Sequence, residues 1–297
     1  MTEKKHKSGF VNIVGNPNVG KSTLMNRLVG ERISIITSKA QTTRHRIMGI
    51  VNTEDMQIVY SDTPGVLHPN YKLQESMLNF SESALGDADV LLYVTDVVET
   101  IGKNEDFLQK VQQVECPVLL LINKIDQTDQ VKLEELVTHW ETLLPSAEII
   151  PVSALAKFNV DYVKHRIETL MPDSPPYFDK DALTDKPARF FVTEIVREKI
   201  LLYYQKEIPY AVEVVVEEFK EDDKLIRIKV LIIVERDSQK GIIIGPKGIA
   251  IKKVGTMARK DIERFFDKKV FLEMFVKVEK DWRNRDSILK SFGYQIN

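Results

Sequence analysis

One cysteine among 297 residues leaves nothing for an internal disulfide to close, so the chain is expected in a reducing compartment, the cytoplasm by default. That residue, Cys116, has no Cys or His at metal-ligand spacing and is expected to be a small buried side chain. Long apolar runs are missing too: stretches such as VLLLI at 118–122 fall far short of the roughly 20 residues that a membrane helix needs. The opening MTEKKHKSGF is charged and lacks the apolar segment of a secretion signal. No internal repeat or low-complexity tract interrupts the chain. What is present is ordinary globular material, 43% hydrophobic and 29% charged, which argues against disorder, collagen-like repeats or a coiled-coil rod. The length exceeds what one hydrophobic core usually serves and favours two domains.

The net charge of -2 conceals a division. Residues 1–189 carry 20 Lys and Arg against 26 Asp and Glu, whereas residues 190–297 carry 22 against 18, so the halves stand at -6 and +4. Residues 236–260 are more pointed still: Arg236, Lys240, Lys247, Lys252, Lys253, Arg259 and Lys260 face one acid, Asp237. An anionic partner is the natural reading; a solvated helix face is the alternative.

From Phe10 to about Met171, short apolar runs (FVNIVG, RIMGIVN, MQIVYSD, DVLLYVTD, PVLLLINK, EIIPVS) alternate with amphipathic stretches. Several are apolar on both faces, as strands of a parallel sheet covered by helices must be. Most run into a polar cluster at their C-terminal end, the edge where open α/β sheets place their ligands. MPDSPPYFDKDALTDKP, residues 171–187, holds four prolines and little periodicity, and is read as a linker. Beyond it the pattern gives helix, two alternating strands joined at EDDK, GIIIGPKG, a helix, a strand and a short terminal helix, in the order α-β-β-α-α-β-α.

GNPNVGKS, residues 15–22, matches the phosphate-loop pattern and lies between a strand and a helix, the context that the pattern requires. Gly15 and Gly20 permit a tight turn whose backbone N–H groups face inward across Asn16, Pro17, Asn18 and Val19, and the helix N-terminus at Lys21, Ser22 and Thr23 adds positive potential. Lys21 would meet the β and γ phosphates and Ser22 would offer a hydroxyl to Mg2+. DTPG follows the third strand: Asp62 can hold Mg2+ through water, and Gly65, after Thr63 and Pro64, lets a backbone N–H approach a γ phosphate. Between these motifs SKAQTTRHR offers Thr42 or Thr43 to the metal, with Thr43 favoured. At two further strand tips stand NKID (Asn123, Lys124, Asp126) and Ser153, Ala154, Leu155. A carboxylate at Asp126 accepts from the N1–H and exocyclic amine of guanine, which adenine cannot supply, so a buried acceptor here selects guanine. Asn123 would brace the loops, the Lys124 stem would cover the base, and the Ala154 N–H would meet O6.

With these motifs in this order, the first half resembles the Ras-like GTPases related to translation factors, and GNPNVGKS with QTTRHR and DTPG looks like the Era family. The resemblance covers nearly the whole chain. It implies an α/β P-loop GTPase domain with a mixed, mostly parallel sheet over 1–172, a linker over 173–188, and an α+β type II KH domain with a C-terminal helix over 189–297. Within the KH domain it places a nucleic-acid loop at Gly245, Pro246, Lys247 and Gly248, with Lys252 and Lys253 following. Such a cleft takes about four unstacked nucleotides of single-stranded RNA. Ile242, Ile243, Ile244, Ile249 and Ile251 would floor it or join the core. The partners implied are GTP and GDP, the 3' end of small-subunit ribosomal RNA and the small ribosomal subunit, met by a monomer in the cytoplasm, with a peripheral contact on the inner face of the membrane as a further reading. One departure concerns hydrolysis. Ras-type enzymes orient water with a glutamine after D-x-x-G, and Val66 stands there, so the chain alone is expected to be slow and to lean on Lys21, Thr43, Gly65 and Mg2+. Asn18 matches an asparagine that in related GTPases supports K+ beside the phosphates, or else only stabilises the turn. Two other function classes stay open: a module in which GTP is sensed and turnover is incidental, and a membrane-surface protein using the basic helix.

Overall fold

The computed structural model describes residues 5–99 and 102–296, so the start of the opening segment read above for a secretion signal lies outside the described residues. The chain divides into two compact units, one taking in residues to Asn70 with Gln74–Asp185, the other Tyr71–Leu73 with Lys186 onward.

In the first unit β1 (Lys7–Gly15), α1 (Lys21–Val29), β2 (Ile47–Asn52), β3 (Met56–Asp62), α2 (Lys72–Gly86), β4 (Val90–Asp96), α3 (Glu105–Gln112), β5 (Val118–Asn123), α4 (Gln130–Leu143), β6 (Glu148–Pro151) and α5 (Val160–Leu170) follow in order. The sheet runs β2-β3-β1-β4-β5-β6, parallel except for the antiparallel β2 edge. All residues of β4 and β5 are buried, as central strands with helices on both faces require. Each fully buried Val, Leu or Ile contributes about 1.5–3 kcal/mol, which makes the two faces of this sheet the main source of the unit's stability. Val11, Ile13, Leu24 and Val163 fill one face, Val14, Leu91, Phe107 and Trp140 the other. Cys116 is half-buried rather than buried, because it precedes β5 instead of lying within it.

Residues 173–185, expected as part of a linker, are fastened to this unit. The Gln57 side chain accepts from the N–H groups of Tyr177 and Phe178 and donates to the Phe178 carbonyl. Ile50 N–H donates to Leu183, and Thr184 Oγ1 donates to Met48, so the segment caps the exposed edge of β2. Proline keeps the segment out of regular structure, yet an open strand edge supplies hydrogen bonds to any extended chain.

The second unit contains α6 (Ala188–Tyr203), β7 (Glu213–Glu221), β8 (Leu225–Val234), α7 (Asp237–Ile244), α8 (Ile249–Phe266), β9 (Lys269–Val278) and α9 (Asp286–Ser291). β8 is central, antiparallel to β7 and parallel to β9. Its core gathers Val196, Ile200, Ile228, Val230, Ile243, Val254 and Ile262. No helix among the described residues is long and apolar enough to cross a membrane.

Candidate functional site

The turn from β1 to α1 needs glycine at two points. Gly15 has φ +145°, and a Cβ there would lie 2.1 Å from the Val94 carbonyl oxygen; Gly20 has φ +99°, and its Cβ would lie 2.2 Å from Asn123 Nδ2. The turn wraps the Lys21 ammonium, which donates to the carbonyls of Gly15 at 3.0 Å and Asn16 at 2.9 Å. Burial lowers this ammonium to about 8, against the pull of Asp62 and Glu99. Phosphate charge beside it would restore the proton, so anion binding here is coupled to proton uptake above that pH. The first turn of α1 carries no acid to offset its N-terminal dipole.

Ser22, Thr43 and Asp62 converge although their loops are far apart in sequence. Ser22 Oγ donates to Asp62 Oδ2 at 2.7 Å, Thr43 Oγ1 does so at 3.3 Å, and the two hydroxyls lie 2.9 Å apart. Thr42 turns the other way, toward Thr37 Oγ1 and the Lys39 carbonyl. Asp62 is buried, its carboxyl is pushed up by desolvation, and its Oδ1 has no hydrogen-bond partner among the described residues. An orphaned carboxylate oxygen beside two hydroxyls is a hard-oxygen donor set that fits Mg2+, which would offset that desolvation when bound.

A cavity of about 500 Å³ opens in front of these groups, lined by Pro17, Asn18, Gly20, Lys21, Ser22, Thr23, Gly65, Lys124 and Leu155 and closed over by residues from 35–43. Ile35 and Ile36 were missed by sequence reasoning, which saw only the polar part of that segment, from Ser38 onward. Asn26 of α1 anchors its start: Oδ1 accepts from the Ile33 and Ser34 N–H groups, both at 2.9 Å, and Nδ2 donates to the Ser34 carbonyl. Gly65 lies under Pro17, where a Cβ would come within 2.6 Å of the proline Cα. Thr63 donates to the Ile13 carbonyl and the Pro64 carbonyl accepts from Ser81, so these two hold the loop from behind and do not line the cavity. Val66 is buried in the core, its side chain withdrawn from any water. Asn16 also turns inward, to Glu99 and Asn104.

At the base end Asn123 Nδ2 donates to the Val19 carbonyl at 2.7 Å. Lys124 Nζ meets the Asn18 carbonyl at 2.6 Å and Asp96 at 2.5 Å. Asp126 is exposed on a short turn rather than buried, and its Oδ1 accepts from Ser153 Oγ at 2.5 Å. The Ala154 N–H, expected to meet the base at O6, donates to Asn123 Oδ1 at 3.0 Å, which satisfies the carbonyl of that buried asparagine. Leu155 is 70% exposed at the rim.

In the second unit the turn between α7 and α8 holds Gly245 at φ +71°, Lys247 at +51° and Gly248 at +75°. Pro246 and Lys247 project into solvent. A groove of about 250 Å³ lies between α8 and β9, lined by Ile251, Lys252, Gly255, Thr256, Arg259, Leu272 and Met274. Lys253 is directed elsewhere, with Nζ 5.0 Å from the centre of the Tyr203 ring. Of the isoleucines expected here, Ile243 joins the core, while Ile242 and Ile249 are exposed beside the turn. Thr256, Leu272 and Met274 were not singled out, and Arg259 only as one of the basic residues of 236–260, since only the fold sets α8 beside β9.

Comparison with known proteins gives the same two parts. Residues 10–124 match the family described as 50S ribosome-binding GTPase, and residues 207–283 match the KH domain. The chain is 46% identical over 297 residues to GTPase Era of Geotalea daltonii, covering 99% of this chain and 100% of that one. It is 43% identical to GTPase Era of Staphylococcus haemolyticus, over 99% and 98% of the two chains. Among solved structures, Era in complex with MgGDPNP and nucleotides 1506–1542 of 16S ribosomal RNA superimposes with a TM-score of 0.93 at 38% identity, over 98% of this chain and all of that one. An Aquifex aeolicus Era variant bound to GDP·AlF4- matches with a TM-score of 0.93 at 39% identity, over the same shares of the two chains.

Proposed function

The chain belongs to the Era family of GTPases, and from that premise we propose that it binds the single-stranded 3' end of small-subunit ribosomal RNA through its KH unit and assists assembly of that subunit. It hydrolyses GTP to GDP and phosphate, and in this reading the nucleotide state times release of the RNA. The observation that carries the proposal is the groove between α8 and β9, on the helix that follows residues 245–248, in a chain that matches along its whole length a relative solved with MgGDPNP and a 16S RNA segment. Mg2+ is the cofactor, with Ser22, Thr43 and Asp62 to hold it; it would draw charge from the phosphate oxygens as the bond to the γ phosphate breaks. Lys21 neutralises phosphate charge from inside the loop, and residues 35–43 wall the cavity on the side of the metal ligands.

The test is binding of an oligonucleotide with the 3'-terminal 16S sequence. Gly245 is a poor position to change, because a Cβ there would lie 2.6 Å from Ala250 Cβ, whereas among the described residues a Cβ at Gly248 would meet nothing within 4 Å. Gly248→Asp combined with Lys247→Glu should therefore lower RNA affinity by roughly 10²-fold, and flatten the salt slope by about one for the lost phosphate contact, while GTP affinity stays unchanged. RNA affinity equal to wild type across a salt titration would refute the assignment. The protein acts as a cytoplasmic monomer in this reading. If the basic segment served an anionic inner membrane face instead, the same variant, which removes one positive charge and adds two negative ones, would lower affinity for phosphatidylglycerol vesicles by roughly tenfold or more.

A potassium ion is the second part of the proposal. Val66 supplies no side chain to the reaction, and Asn18 lines the cavity beside Lys21 with its own carbonyl held by Lys124. K+ held by Asn18 would neutralise charge developing between the β and γ phosphates. Turnover in K+ should exceed turnover in Na+ by roughly tenfold at equal ionic strength, and Asn18→Ala should erase the difference while sparing GTP binding. Identical rates in both salts, with and without RNA, would exclude the cation.

A further inference from the structure

The loop from β4 to α3 belongs to none of the sequence motifs, yet its side chains reach three of the nucleotide loops. Asp96 Oδ1 caps its own turn by accepting from the N–H groups of Val98 and Glu99, and Oδ2 pairs with Lys124 of the base loop. The Glu99 carboxylate accepts from Thr95 Oγ1 at 2.8 Å and from Asn16 Nδ2 of the phosphate loop. Asn104 is buried, with φ +60°, and its Nδ2 donates both to Asn16 Oδ1 at 2.5 Å and to the Val66 carbonyl at 3.0 Å. The Val66 N–H donates to the Gly15 carbonyl at 3.1 Å. Val66 is thus held on both sides of its backbone, by the phosphate loop at its N–H and by Asn104 at its carbonyl.

This double hold bears on hydrolysis because the Val66 side chain faces the core. Orienting the attacking water then falls to the backbone of residues 62–66, and an error of about 1 Å in such an element can cost 10²-fold in rate. We propose that Asn104 is a positioning residue for GTP hydrolysis: both hydrogens of its amide are spent on tying the Val66 carbonyl to Asn16, which fixes the 62–66 backbone relative to Lys21. Asn16 is the intermediary, since its own carbonyl accepts from Lys21. The proposal rests on the GTPase activity and is independent of the RNA reading.

Single-turnover GTP hydrolysis by the full chain tests it with two variants. Asn104→Gly keeps the tolerance of positive φ and removes the side chain; Asn104→Asp keeps size and backbone tolerance and removes both donors. Both should lower the single-turnover rate about 10- to 100-fold while GDP affinity stays within about twofold; the acceptors left unpaired lower the melting temperature as well, so rates are measured well below it with the GDP-bound fold checked by circular dichroism. Adding Asn104→Gly to Asn16→Ala should cost little beyond Asn16→Ala alone, as expected of two residues acting as one unit. Rates near wild type in both variants, losses of GDP affinity in proportion to rate, or fully additive effects of the pair would each overturn it. Wild-type turnover, measured alongside, tests the GTPase activity itself.

Discussion

Asp126→Asn should weaken GTP binding by roughly 10³- to 10⁴-fold and strengthen binding of xanthosine triphosphate. The carboxylate accepts from guanine N1–H and the exocyclic amine; an amide puts a donor against one of them, but suits xanthine, where a carbonyl replaces the amine. Ser153 Oγ, 2.5 Å from Asp126 Oδ1, fixes the side chain before any base arrives, so little ordering is needed on binding. Closure of the base over the turn removes Asp126 from the solvent it now faces, and an unmatched polar group there carries the full desolvation cost. Titration calorimetry with both nucleotides reads the result directly. Equal GTP affinity in mutant and wild type would remove Asp126 from the base site.

The second large effect concerns stability. Gly15→Ala should destabilise the first unit by about 4 kcal/mol or more, a large share of the roughly 5–15 kcal/mol that holds an ordinary domain together. Its Cβ would lie 2.1 Å from the carbonyl oxygen of Val94, in a central strand whose every residue is buried, so neither partner can give way. Gly30 is the control: it also has positive φ, at +88°, but among the described residues a Cβ there would meet nothing within 4 Å. Gly30→Ala should therefore cost about 1 kcal/mol from backbone strain alone. Urea unfolding followed by the fluorescence of Trp140, with Trp282 replaced by Phe, measures the first unit separately. A Gly15→Ala midpoint no lower than that of Gly30→Ala would contradict the packing of the phosphate loop against β4.

Much of this protein is legible in its sequence because the requirements are local. The phosphate loop demands glycine, then lysine, then a hydroxyl within eight residues between a strand and a helix, and each demand is a backbone or charge constraint met by its immediate neighbours. The inner strands of the first unit were readable for a similar reason: burial on both faces leaves a largely apolar run, complete in β4 and β5. The choice of Thr43 over Thr42 for the inward position could not be made from one loop alone. It depends on Asp62 and Ser22, which fix the position that a hydroxyl can reach. The Ala154 amide is another such case: that its N–H reaches the carbonyl of the buried Asn123 side chain is not readable from either loop alone.

By itself, then, the amino-acid sequence determined the class of fold, the order of the nucleotide motifs and the basic character of the second unit. All of these follow from periodicity, glycine placement and charge. Tertiary structure alone decided that residues 173–185 cover the β2 edge, that Arg259 and Met274 share a groove, and that Glu194 and Arg197 of α6 pair out of contact with solvent. It alone brought Asn104 to Asn16 across 88 residues of chain. The physical reason is range: a turn, cap or amphipathic face is specified by residues a few positions apart. Which polar side chain satisfies a distant loop is settled only when the sheet closes and each buried donor must find an acceptor.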